Sequence, residues 1–218
     1  MGGRGASSSI AKGSKTGNKG QDNLEQYLGK RGNPISVEKS LETVNPKYND
    51  GDEWQYNCQS CATSFEATQR GYDVEAVEHG VGKPYFADAD GKQHYWYDVY
   101  EGETKGTFYT KDYSHGFYGI EGKTKIFNTA NQIEKEMKSY GDGARATLQV
   151  AWKGRNAGGH IMNIVNKGGQ FFVADAQSGK TYRLSDVLSR VKRGVAITRV
   201  DNLKFNSNIQ YLTKKKGK

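Results

Sequence analysis

The chain has 218 residues, 34% of them hydrophobic and 26% charged, with 28 glycines and 14 tyrosines, which fits one domain with an insertion or tails and excludes a helical bundle in favour of a loop-rich, polar-surfaced fold. Its net charge of +8 sits at the two ends: residues 1–20 carry Arg4, Lys12, Lys15 and Lys19 with no acid, and 214–218 carry four lysines. The body is therefore neutral, so the ends read as solubilising or non-specific arms and a basic face for nucleic acid is not indicated.

Residues 1–20, rich in glycine, serine and lysine, are expected to be a disordered arm, because almost nothing in them can offset the entropy of ordering. They contain no apolar core of a secretory signal, and no stretch of the chain approaches the ~18 apolar residues of a membrane span. The domain proper is expected over 21–213. It opens with a short amphipathic piece at 22–28 and a helix or wrapping segment at 34–44, which Asn45-Pro46 ends. Next comes a predicted helix that begins on a cysteine. Asn57 reads as its N-cap and Gly71 as its stop, and Cys58, Cys61, Ala62, Phe65 and Gln69 share one face. Tyr72–Val77 alternates like a strand. Residues 78–128 read as an insertion of irregular strands, with aromatic clusters that either pack as satellite core or line a groove. A helix is predicted at 131–138, ended by Gly141, and strands at 145–152 and from His160. A strand at 180–184, a capped helix at 185–192 and a strand at 195–201 precede the basic tail 214–218. Helices first and then mostly antiparallel strands make an α+β layout.

Cys58 falls in the first turn of its helix, where unpaired amides and the positive end of the dipole favour a thiolate, the nucleophilic form. Simple packing is the competing reading, and the more natural one for Cys61 a turn deeper. A redox C-x-x-C would need a buried strand before it, which 47–54 does not resemble, and a zinc site would need further ligands. No second cysteine pair exists and His79, His94, His115 and His160 are scattered, so neither metal nor cofactor is expected. Two cysteines three apart on one helix face are no disulfide framework either, which suits a reducing compartment.

The stretch 160–177 supplies the other half. His160–Asn166 and Gln170–Asp175 are β-like runs joined through Lys167-Gly168-Gly169. A two-residue turn at 167–168 sets His160 opposite Asp175, whereas a turn at 168–169 sets it opposite Gln177. Either register gives the imidazole a polar orienting partner. Cys58, His160 and Asp175 together compose a thiol nucleophile, a base and an acid that fixes the imidazole. The Cys58 amide would donate to the oxyanion, with Asn57, Gln55 or Gln177 as a second donor.

At these residues the chain resembles a known family. Asn57-Cys58-x-x-Cys61, Arg70-Gly-Tyr-Asp-Val-Glu-Ala76, Gly141-Asp-Gly-Ala-Arg145, Gly159-His160-x-x-Asn163 and Asp175-x-Gln177-x-Gly179 occur in order, and the likeness spans about 42–205. They resemble the papain-fold toxin domain of glutamine deamidase type, found in bacterial polymorphic toxins and phage head-associated proteins. Ala176 and Ile161-Met162 depart mildly from its pattern, and 78–128 matches poorly. The resemblance implies a papain-like fold, with a helix carrying the nucleophilic cysteine packed on a mostly antiparallel sheet that carries the histidine and the acid. It implies a glutamine deamidase effector acting through a thioester, with Cys58, His160 and Asp175 in the family's catalytic positions and Gln177 in its motif. The expected partners are a target protein bearing a susceptible glutamine and an immunity protein, with no membrane. The expected setting is synthesis in the cytoplasm and action in a target cell, or association with phage. Peptidase or transglutaminase chemistry begins with the same acylation. A catalytically idle binding module is the alternative from another class.

Overall fold

The computed structural model describes residues 19–80, 86–110, 113–154, 157–192 and 194–217; the arm expected at 1–18 lies outside them. In chain order the elements are α1 (Lys19–Leu28), α2 (Val37–Thr43), α3 (Asp52–Gln55), α4 (Cys58–Thr68), β1 (Val74–Ala76), β2 (Lys105–Thr110), β3 (Tyr113–Ile120), β4 (Thr124–Phe127), α5 (Ala130–Tyr140) and β5 (Arg145–Ala151). They continue with β6 (Gly159–Lys167), β7 (Gln170–Asp175), β8 (Lys180–Arg183), α6 (Leu184–Arg190), β9 (Val195–Arg199), a 3-10 turn at Ser207–Tyr211 and β10 (Thr213–Lys215). No helix among the described residues is long and apolar enough to cross a membrane.

Six strands form one antiparallel sheet in the order β4-β9-β5-β6-β7-β8. Alternation along β5, β6 and β9 gives the sheet two apolar faces. Leu148, Val150, Met162, Ile164 and Ile197 pack with Ile133 and Met137 of α5 and Val187 of α6. On the opposite side, Val165 and Ala174 pack with Cys61 and Phe65 of α4 and Leu41 of α2. The fold is thus α+β, with the cysteine helix laid on the sheet.

Two glycines set the register of the central hairpin. A two-residue turn matched to strand twist needs positive φ at both central positions, and Gly168 and Gly169 supply it at +61° and +79°. Lys167 is then the last paired residue, opposite Gln170, and Ile164 faces Val173. The turn therefore lies at 168–169, not 167–168, and Asp175 is a diagonal rather than direct neighbour of His160.

The helix α4 is buried on every side from Ser60 to Thr68, not on the single face that its apolar spacing predicts. Its polar residues are paired instead. Ser60 Oγ donates to Leu212 O at 2.7 Å, and Thr68 Oγ1 lies 2.7 Å from Ser40 Oγ. Glu66, with no exposure, accepts from Arg70 Nε at 2.7 Å and from Arg145 Nε and Nη2 at 2.7 and 3.0 Å. Arg70 carries the clamp onward to Leu203 O and Val200 O, both at 2.6 Å, and stacks on Phe205. Gly71 follows at φ +93°, where any Cβ would collide with the Gly32 carbonyl.

Three boundaries differ from expectation. Residues 124–127, assigned above to the insertion, are the sheet's edge strand β4, and the buried Trp96, Tyr97, Val99 and Tyr100 join the core around α4. The lysines at 214–216 do not trail from the fold. Thr213–Lys215 pairs antiparallel with β1, and Lys214 and Lys216 reach Glu75 and Asp73 at 3.1 and 3.2 Å. The helix expected at 185–192 begins at Leu184, and no side chain caps it.

Candidate active site

A break between two helices delivers the thiol. The one-turn helix α3 ends at Gln55, and after Tyr56 and Asn57 the chain turns helical again as α4, so Cys58 occupies the first turn and is half-buried. Asn57 stands at the N-cap position, yet its side chain makes no capping bond. It is fully buried and turned inward, with Nδ2 donating to Val77 O at 3.0 Å and Asn45 Oδ1 at 3.3 Å. Its Oδ1 accepts from Cys61 Sγ at 3.1 Å and Gln177 Nε2 at 3.4 Å. Asn57 therefore stitches α4 to the end of β7, and its amide is already committed.

His160 stands at the start of β6, and its Nε2 lies 3.1 Å from Asp175 Oδ1, a separation that the diagonal placement of the two residues across the hairpin allows. Asp175 also accepts from Gln177 N at 3.2 Å and Ser178 Oγ at 2.7 Å. Cys58 lines the same cavity as the imidazole and is electrostatically coupled to it, and the Trp152 ring stacks on the imidazole at 6.0 Å. Burial pulls the imidazole pKa down, but the bond to Asp175 and the nearness of Cys58 outweigh that and push it up to about 10. Burial raises the Asp175 carboxyl, and His160, Ser178 and the Gln177 amide together hold it below the ordinary carboxylate range. Cys61 contrasts with both. Burial, then the nearby Cys58 and Asp175, push that thiol well up.

The sign of the resulting pH dependence follows. A group whose folded pKa is raised stabilises the fold fully below its unfolded value, near 6.5 for histidine, and loses that contribution as pH climbs through about 10. The lowered Asp175 works oppositely: its contribution is present above the ordinary carboxylate pKa and is lost as pH falls through the depressed one. Urea midpoints are expected to decline across the alkaline window in the native chain, and the Asp175→Asn variant should show a shallower decline. Parallel slopes would contradict the coupling.

The three expected oxyanion donors fare differently from the thiol, base and acid. Asn57 is committed as described. Gln177 is buried, its amide given to Asn57 Oδ1 and its carbonyl accepting from Asn45 Nδ2 at 2.9 Å. Gln55 is exposed on α3, which is separated from α4 by Tyr56 and Asn57, and it lines no cavity beside Cys58. Gln59 and Gln149 are the carboxamide side chains found beside Cys58 instead. Both line a cavity of about 270 Å³ that contains Cys58 and His160 and is walled by Tyr95, Trp96, Tyr97, Phe117 and Tyr118. The tyrosine-rich segment thus serves as core and groove wall together. Asn45, read from sequence only as a helix end, is a hub that also donates to Trp54 O at 2.9 Å. Among the described residues no three histidine, cysteine or acidic side chains gather as a metal-ligand set.

A family profile described as papain fold toxin 1, glutamine deamidase, matches residues 56–180, more than half of the chain. The chain belongs to this family. The match to the glutamine deamidase toxins opens two residues before Cys58 and closes just past Asp175 and Gln177, so it encloses the whole juxtaposition as well as the cavity wall. No curated protein and no solved structure matches the chain.

Proposed function

We propose that the chain is a cysteine hydrolase that deamidates glutamine side chains of a target protein. The observation that supports this reading is a single imidazole bonded to Asp175 and sharing a cavity with a thiol at a helix start. His160, held protonated near neutrality, pairs with the Cys58 sulfur as an imidazolium. The sulfur attacks the carboxamide carbon, and His160 gives its proton to the departing nitrogen, which leaves as ammonia. Water then attacks the thioester carbonyl while His160 takes its proton. The S–C bond breaks, and the product is glutamate with the thiol restored. Asp175 keeps the ring oriented throughout. The first-turn amides of α4 have no intrahelical acceptor and suit the oxyanion, and Gln59, whose Oε1 is held by Trp96 N at 3.1 Å, is the side chain best situated to join them.

The decisive experiment is intact-mass analysis of a denatured glutamine-containing protein after exposure to the enzyme. Each converted amide adds about one dalton, the difference between NH2 and OH on an acyl carbon, with ammonia released in equal amount. Fragments instead of a mass gain would make the chain a peptidase, and no change in mass with no ammonia would overturn the reading. Near pH 6.5 iodoacetamide is expected to label Cys58 well before Cys61, since only the former is half-exposed beside a cation while burial pushes the latter up. Equal labelling by peptide mass mapping would argue against the pair.

A further inference from the structure

The cavity beside Cys58 holds two polar groups for which the fold supplies no partner. Gln149, 8% exposed on β5, and Tyr97, 4% exposed in the segment before β2, both line it. Gln149 Nε2 and Tyr97 Oη are buried atoms that make no hydrogen bond. Gln149 pairs with Ile161 one step along the sheet from the Val150–His160 pair, which turns it to the α4 side, and it lines the cavity together with His160. Buried donors are normally satisfied, and two orphans in one cavity mark a site that a ligand completes. Both are uncharged donors among aromatic walls. A neutral carbonyl oxygen fits them, since each offers a single uncharged donor and the cation of this cavity, the His160 imidazolium, is already paired with Asp175. Burial, reinforced by Asp98, pushes the Tyr97 hydroxyl up, so it remains a donor.

We propose, resting on the deamidase reading, that Gln149 and Tyr97 are specificity-determining residues that bind a main-chain carbonyl oxygen of the substrate polypeptide beside the target glutamine. They select glutamine embedded in a peptide over a free carboxamide, and they hold the chain while Cys58 reacts.

The test uses two chloromethyl ketones that alkylate Cys58 with loss of chloride. One is an N-acetyl, N-methylamide amino acid whose glutamine carboxamide is replaced by the chloroketone. The other carries the same side chain without main-chain amides. Rates of alkylation are read by intact mass, each normalised to that variant's rate with methyl methanethiolsulfonate, which reports the thiol alone. The native chain should prefer the first probe by about tenfold or more, and Gln149→Leu and Tyr97→Phe should each lose most of that preference. Thermal midpoints of both variants check folding, and neither substitution removes a hydrogen bond present in the structure. No preference in the native chain, or a preference kept by both folded variants, overturns the proposal while deamidation of proteins survives. If methyl methanethiolsulfonate modifies Cys58 no faster than Cys61, the deamidase reading fails and this proposal goes with it.

Discussion

Replacing Cys58 with alanine is expected to reduce ammonia release by about 10⁴-fold or more, because the thioester route disappears and only binding and oxyanion contacts remain. The loss should fall on kcat, since the sulfur forms its bond in the transition state and adds little to substrate binding. Cys61→Ala is the matched control. Its thiol is buried against Asn57 rather than open to the cavity, so it should retain most activity with a modest loss of stability. Combining Cys58→Ala with His160→Ala should cost little beyond the single change, because residues that act as a unit are not additive. An alanine variant at 58 that still releases ammonia at the native rate would remove the proposed chemistry altogether.

Glu66→Ala is expected to be the most damaging substitution for the fold outside the apolar core. It strips the shared carboxylate from two largely buried guanidiniums, Arg70 and Arg145, whose side chains are 14% and 16% exposed. Breaking a buried charge network by removing one member costs roughly 3 to 5 kcal/mol. For a chain of this size that corresponds to a fall in Tm on the order of 10 °C. The effect should show as a lowered urea midpoint with an unchanged slope. A change within about 0.5 kcal/mol, the size of an ordinary surface substitution, would mean that the clamp contributes nothing. Through Arg70 the same carboxylate ties α4 to the strand-exit carbonyls at 200 and 203, so its removal should also loosen the seat of Cys58.

The sequence makes the reacting groups legible where local rules apply. A cysteine at the start of a helix, a glycine pair that demands a tight turn, and alternation that carries His160 and Asp175 on one face all follow from residue type and spacing. Weighing the positive φ that both turn positions need would have chosen 168–169 over 167–168. The diagonal reach of the side chains explains why the histidine meets the acid despite that shift. What stays hidden is tertiary. Glu66 looks like a solvent-facing helix residue until Arg145, 79 positions later, arrives. Asn57 looks like a cap until the region around Asn45 and Gln177 folds over it, and a buried carboxamide such as Gln149 is silent in a strand pattern because its value lies in an empty neighbourhood.

A ribosome delivers the helix that bears the sulfur some 150 residues ahead of Leu212, the carbonyl that fastens Ser60 and Ser64 from below. Until residues 212–215 emerge and pair with β1, Ser60 and Ser64 lack the carbonyl that holds this side of the helix. On the proposed reading, reactivity is expected late in biosynthesis: a polypeptide interrupted before residue 212 would carry Cys58, His160 and Asp175 without these contacts under α4.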